Sequence, residues 1–134
     1  MRNWLAAPVL VGCALFASDA FSVSPKDLVA RYAEYNGKRI NVAGEVVSSE
    51  EMTVMYLPSP SGETTPKEGM LITLSPDMSN KPDPLVKRFT KSLRKTGHVL
   101  AELEGQFEGA PDRALGHQAC CRFRLQVEHV VSLK

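Results

Sequence analysis

The sequence has almost no net charge, because 16 lysines and arginines stand against 15 aspartates and glutamates in 134 residues. No field over the whole molecule therefore attracts it to nucleic acid or to an anionic membrane, and an electrostatic partner must meet a local patch. Aromatic residues are also few, at 7%. With 43% hydrophobic residues, the length suits one domain with a modest core and is too short for two.

Sequence signatures of catalysis are missing as well. The chain contains no Gly-x-Ser-x-Gly, no Gly-rich phosphate loop and no His-Glu-x-x-His, which are the short patterns that indicate common nucleophile, nucleotide and zinc sites. The carboxylates Glu102, Glu104 and Glu108 alternate along one predicted strand, as a solvated acidic face does. We therefore expect no enzyme, no metal site and no cofactor.

The longest apolar run lies at the beginning of the chain. Arg2 precedes the apolar residues 4–17, and Ser-Asp-Ala follows at residues 18–20, which is the order of a secretory signal peptide and its cleavage site. Residues 10–13, Leu-Val-Gly-Cys, resemble a lipobox whose Cys13 would be lipidated. We predict a signal peptide over residues 1–20 and a single exported, periplasmic domain over 21–134; a membrane-anchored lipoprotein is the alternative.

Terminus signals and alternation predict the elements of that domain. Ser24 and Pro25 begin a helix that ends at Gly37, and Asp83 with Pro84 begins a second one that ends at Gly97. Period-two alternation predicts strands, and Gly44 within the first strand indicates a bulge, a bend or a close approach. The predicted strands are 38–47, 52–57, 70–74, 98–107 and 121–133.

The order of three strands, a helix and two strands is that of the OB-fold. Residues 35–46, Tyr-Asn-Gly-Lys-Arg-Ile-Asn-Val-Ala-Gly-Glu-Val, and 99–107, Val-Leu-Ala-Glu-Leu-Glu-Gly-Gln-Phe, resemble the paired V-x-G-x-V strands of small exported bacterial OB-fold proteins. Those are the tRNA-anticodon-binding-like and bacterial-OB-fold families, and the resemblance covers most of residues 25–133. It implies a mainly β, five-stranded Greek-key barrel with a helix between strands three and four.

In OB-folds, strands two and three and the loop between the last two strands commonly form the binding surface. Here strands two and three carry only Tyr56 as an aromatic residue, which argues against nucleic acid, because single-strand binders stack bases on aromatic side chains. A protein, peptide or small polar ligand of the envelope is the predicted partner. The candidate ligand-binding residues are Tyr56, Arg113, His117, Arg122 and Arg124.

The second helix predicts an electrostatic patch. Its five cations are not interleaved with any acidic residue, so they suit phosphates or anionic head groups as well as ordinary solvation. Single-stranded nucleic-acid binding through this helix is the first alternative function. The patch consists of Lys87, Arg88, Lys91, Arg94 and Lys95.

The adjacent Cys120 and Cys121 suggest a second alternative, a redox or metal module. Neighbouring Cα atoms lie about 3.8 Å apart, closer than a relaxed disulfide allows, so a buried free thiol at Cys121 and an exposed one at Cys120 are favoured over a disulfide. A joint metal site with His117 lacks a fourth ligand at a recognised spacing. A strand register with Leu103 opposite Val127 predicts that His129 faces the core opposite Ala101, and His98 the outside.

Overall fold

A computed structural model describes residues 20–49, 52–57, 68–80, 83–109 and 121–134. Within these ranges the chain forms six strands: β1 (Phe21–Ser22), β2 (Arg39–Ser48), β3 (Thr53–Leu57), β4 (Glu68–Leu74), β5 (His98–Gly109) and β6 (Phe123–Leu133). It also forms four helices: α1 (Pro25–Ala30), α2 (Tyr32–Tyr35), α3 (Pro76–Asn80) and α4 (Pro84–Thr96).

Strands β2 to β6 close into a five-stranded barrel. The order is β2-β3-β4-β6-β5, and β5 pairs with β2 to complete the circle. All of these pairs are antiparallel except β4 with β6, which run parallel. This is an OB-fold-like Greek-key barrel with a helix between its third and fourth strands, so the predicted fold class is confirmed. The two-residue β1 adds a parallel pairing to β2 at Ile40 and Asn41.

Helix α4 begins and ends as its sequence predicts. The Asp83 side chain accepts a hydrogen bond of 2.9 Å from the Val86 amide, and Gly97 ends the helix with φ +83°. The helix packs against β6, β5 and β2 because Val86, Phe89 and Leu93 are buried on one face. It therefore closes one end of the barrel.

The first predicted helix is divided in two. Ser24 caps α1 through a 3.1 Å hydrogen bond from the Asp27 amide, but Arg31 leaves helical geometry at φ −130° and ψ 35° before α2 begins. Leu28 and Val29 are buried, so α1 still contributes to the core. The prediction of one continuous helix was wrong at this break.

The barrel interior is apolar and continuous. Ile40, Val42, Leu103 and Leu125 are each at most 1% exposed, which confirms that the alternating residues of the long strands share one core. Among the described residues no polar or charged side chain is buried. Burying each such aliphatic side chain stabilises the fold by about 1.5–3 kcal/mol, so the core alone favours this closure.

Two glycines allow the long strands to approach other parts of the chain. A Cβ on Gly44 would lie 2.9 Å from the sulfur of buried Met55, and a Cβ on Gly105 would overlap the backbone oxygen of Gln126. The close approach at Gly44 is made by the Met55 side chain and not by another stretch of backbone. At Gly105 the neighbour is backbone, which cannot move aside as a methionine can.

The predicted register of β5 with β6 was wrong. Val127 pairs with Gly105, two residues from its predicted partner Leu103, and the ladder then shifts between Gly105 and Glu104, so that Leu103 pairs with Val130. One shift places His129 opposite Glu104, where it is exposed. His129 therefore lies on the outer face and not on the core side. A β-bulge changes which residues oppose each other, and the alternation of one strand does not reveal it.

The predicted signal peptide, apart from Ala20, and the predicted lipobox lie outside the described residues. Within the described ranges, no helix combines the length and the apolar character that crossing a membrane requires.

Candidate functional site

The outer face of β3, β4 and β6 carries the one aromatic residue predicted to bind a ligand. Tyr56 is 42% exposed and pairs across the ladder with Gly69, which has no side chain beside the ring. Two residues along β3 from Tyr56, Val54 pairs with Leu71 on β4, and Leu71 pairs with Arg124 on β6. Tyr56 and Arg124 thus share one face, two strands and about 10 Å apart across the sheet.

Arg124 is held in place by a carboxylate. Its guanidinium donates a hydrogen bond to Glu108, the residue opposite it on β5, and both side chains remain partly exposed, at 44% and 29%. A paired arginine at a strand position is oriented by its partner and keeps further donors for a ligand.

A polar recess of about 280 Å³ opens beside this ion pair. Arg124 and Glu108 line it together with Gln106 and Gln126, which oppose each other across β5 and β6. The two amides offer both donors and acceptors. Asn36, at the edge of the recess, accepts a 2.9 Å hydrogen bond from the Gly109 amide. This combination suits a ligand with several hydrogen-bonding groups.

We call the outer-face residues of this region the platform, and its members are Val54, Tyr56, Leu71, Arg124, Gln126 and Gln106. The sequence had indicated Tyr56 and Arg124 but not the glutamines. Both glutamines occupy outward positions of alternating strands, which is a detectable signal, but only the observed pairing shows that they are neighbours.

Of the other three predicted ligand-binding residues, the structure describes Arg122. Arg122 places its guanidinium carbon 5.4 Å from the ring centroid of Phe123, within the range of a cation–π contact. Phe123 in turn stacks on Phe107 at 5.8 Å, so Arg122 lies over the aromatic end of the core. Arg113 and His117 lie outside the described residues.

The five cations predicted to form an electrostatic patch lie on α4. All five of its cations are exposed, and the helix sequence contains no acidic residue. In the part of the chain that the structure describes, none of them forms an ion pair, whereas three arginines elsewhere do. The members are, as predicted, Lys87, Arg88, Lys91, Arg94 and Lys95.

Cys121 is buried, as predicted, but it is bonded in a disulfide, so the favoured free thiol was wrong. The other cysteines, Cys13 and Cys120, lie outside the described residues. His98 faces outward, with its Nδ1 3.9 Å from a carboxylate oxygen of Glu45. Among the described residues, no three His, Cys, Asp or Glu side chains are grouped as a metal site requires.

Comparison with known proteins adds no relative. No protein-family model matches the chain, and no curated protein matches it at a significant level. The functional interpretation therefore depends on the surfaces of the barrel itself.

Proposed function

We propose that this protein is a non-catalytic binding module of the bacterial cell envelope, whose platform holds a peptide, a segment of another protein or a small polar ligand. The observation that carries the proposal is that an exposed tyrosine and a polar recess lie on the same sheet face. Arg124 belongs to both, because it pairs through Leu71 with the β3 ladder and lines the recess.

The chemistry of the platform favours a ligand that is partly apolar and partly polar. Tyr56 offers an exposed ring beside Gly69, and rigid aromatic side chains provide contact area at a low cost in conformational entropy. Gln106 and Gln126 fix hydrogen-bonding directions at the other end. Tyr56 and Gln126 are two strands apart and four residues apart along the ladder, so a ligand that meets both ends spans roughly 17 Å.

The export part of the proposal is supported by residues 1–20 alone. The intact mass of the protein purified from producing cells tests it. A chain that begins at residue 21 agrees with the proposal, a diacylated chain that begins at Cys13 supports the lipoprotein alternative, and a full-length chain contradicts export.

The binding part is tested by comparing two exposed hydrophobic residues. Arrayed peptides and soluble envelope fragments are first screened against the protein, and the ligands found are measured by calorimetry. Tyr56→Ala is expected to weaken binding at least about tenfold, as the loss of an aromatic contact does. Leu100→Ala is the matched control, because Leu100 is 50% exposed on β5 and lies outside the platform.

A loss that is equal in both variants, or found only for Leu100→Ala, would contradict the platform as the binding site. Gln126→Ala adds a polar test, since its amide lines the recess and makes no contribution to the barrel core. We expect it to weaken a polar ligand by about threefold to tenfold, the range for one hydrogen bond.

A further inference from the structure

A second depression lies on another side of the molecule, between α4 and the ends of three strands. It has a volume of about 240 Å³. Its floor is apolar, formed by Ile72 on β4 and by Phe89 and Leu93 on α4, and its rim on the helix side consists of Thr90 and Arg94. Pockets for drug-sized ligands measure roughly 300–1,000 Å³, so this one suits a single large side chain.

The opposite rim is formed by the hairpin between β2 and β3. Ser48 and Thr53 line the pocket there, and their hydroxyl oxygens lie 3.3 Å apart in a hydrogen bond. The Thr90 hydroxyl donates to the carbonyls of Val86 and Lys87 at 3.1 Å. The pocket therefore has an apolar floor, satisfied hydroxyls around it and one cation at its mouth.

Four of the five cations of α4 lie on its two flanks. Arg94 lines the pocket beside Thr90, and with 3.6 residues per turn Lys87 lies next to Arg94 on the same flank, whereas Lys91 lies opposite the buried face of the helix. Arg88 and Lys95, seven residues apart, lie on the flank that faces away from it. We call the stripe of Lys87 and Arg94 the pocket flank and the other the far flank.

The clustering of these charges opposes helix stability. Lys91 has like charges at all four neighbouring positions, namely Lys87, Arg88, Arg94 and Lys95, and like-charge pairs at this spacing destabilise a helix by about 0.2–0.5 kcal/mol each. The helix dipole favours cations only in the last turn, where Arg94 and Lys95 lie. Lys91 therefore gains nothing within the described fold, and an anionic partner that neutralises Lys87 and Arg94 would relieve its unfavourable contribution.

We propose that the pocket flank of α4 is a docking site for an acidic protein segment that carries one large apolar side chain. The apolar side chain fills the pocket, and the carboxylates flanking it meet Lys87 and Arg94. This site is separate from the platform, so it does not depend on the proposed function.

The size and shape of the site select this partner among anionic ones. The stripe from Lys87 to Arg94 extends about 10 Å along the helix, farther than one small carboxylate reaches. The head group of a membrane lipid is polar and does not match the apolar floor of the pocket, and proteins that bind single-stranded nucleic acid stack its bases on exposed aromatic rings. The aromatic residue in this pocket, Phe89, is 1% exposed, so it offers no stacking surface.

Fluorescence anisotropy with labelled probes tests the proposal on the mature protein. The main probe is a short peptide of glutamate, aspartate and glycine with a single central leucine. Replacing that leucine by serine in the peptide is expected to weaken binding about tenfold or more, the value of one buried leucine. Oligo-dT and vesicles containing phosphatidylglycerol are the competing anionic probes.

Two double variants of equal charge locate the binding surface. Lys87→Gln with Arg94→Gln removes two cations from the pocket flank and is expected to weaken peptide binding about tenfold. Arg88→Gln with Lys95→Gln removes two from the far flank and is expected to weaken it less than about twofold, through long-range attraction only. Thermal unfolding of both proteins checks that the helix is retained.

Thr90→Leu provides a test without any change of charge, because it fills the pocket while the stripe stays intact. We expect the leucine and serine peptides to bind this variant equally well. The proposal is overturned if the leucine peptide does not bind saturably, if both double variants lose equal affinity, or if oligo-dT or vesicles bind as tightly through the same flank.

Discussion

The strands and helix α4 both carry cations, but they use them in opposite ways. On the strands, Arg124 contacts Glu108 on the neighbouring strand, and Arg39 on β2 lies 2.8 Å from Glu128 on β6, across the intervening β5. Helix α4 has no acidic residue to pair with its own five cations. Strand charges therefore support the fold and orient the platform, whereas the charges of α4 remain available to a partner.

The largest expected effect is a loss of stability when the pairing of the strands is disturbed. Gly105→Ala puts a Cβ into the backbone of Gln126 and so disrupts the ladder that sets Glu108 opposite Arg124. We expect a loss of about 3 kcal/mol or more in the free energy of unfolding, measured by urea denaturation. Gly44→Ala meets the flexible side chain of Met55 instead, and a loss equal to that of Gly105→Ala would contradict this explanation.

The next effect tests the N-terminal cap of helix α4. Asp83→Ala removes the acceptor for the Val86 amide and is expected to lower the free energy of unfolding by about 1 kcal/mol. Asp83→Asn keeps a capping oxygen and serves as the control. If Asp83→Asn is as destabilised as Asp83→Ala, the capping hydrogen bond is not the cause.

Two smaller changes in stability, opposite in sign, test the contrast between paired cations on the strands and the cations of α4. Arg39→Gln breaks the ion pair with Glu128, in which both side chains are about one third exposed, and should cost about 0.5 kcal/mol. Lys91→Gln removes a cation with four like-charged neighbours and should increase the free energy of unfolding by about 0.5 kcal/mol. Chemical denaturation in low salt measures both, and changes of the same sign would contradict the contrast.

The last prediction concerns the pKa values of a cluster on α1 and α2, in which charged side chains pair with one another. Arg31 donates hydrogen bonds of 2.8 and 2.9 Å to Glu34, which lowers the pKa of that carboxyl. Its stabilising contribution is present above the unfolded pKa of about 4.3 and is lost as the pH falls through the folded pKa. Carbon-detected NMR titration should show the lowered pKa, and Arg31→Gln should return it towards its ordinary value.

The pKa of Tyr35, in the same cluster, is shifted upwards. Its hydroxyl donates a 2.9 Å hydrogen bond to Asp27, which is the main reason that the Tyr35 pKa is raised. The associated stability is present below the unfolded pKa of about 10 and is lost as the pH rises through the folded pKa. Absorbance titration of Asp27→Ala, which removes the acceptor, should show a lower tyrosine pKa, and an unchanged curve would exclude this hydrogen bond as the cause.

Some of the site was predictable, and the rest depended on pairing. The position of Tyr56 on an outer strand face follows from alternation, and the exposed cations of α4 follow from its helical period. The recess was missed because Gln106 and Gln126 become neighbours only through the β5–β6 register. His129 was misplaced for the same reason, since the ladder shifts between Gly105 and Glu104.

Local chemistry in the sequence determined the elements, because a cap at Ser24 or Asp83 and the alternation around Ile40 act within a few residues. Tertiary structure decided which faces meet. It joined Arg124 to Glu108, seated Arg122 on Phe123 and opened a pocket beside Arg94, since each of these depends on strands or helices that are distant in the chain. The physical reason is range: capping and alternation act locally, whereas bulges and packing depend on the closed barrel.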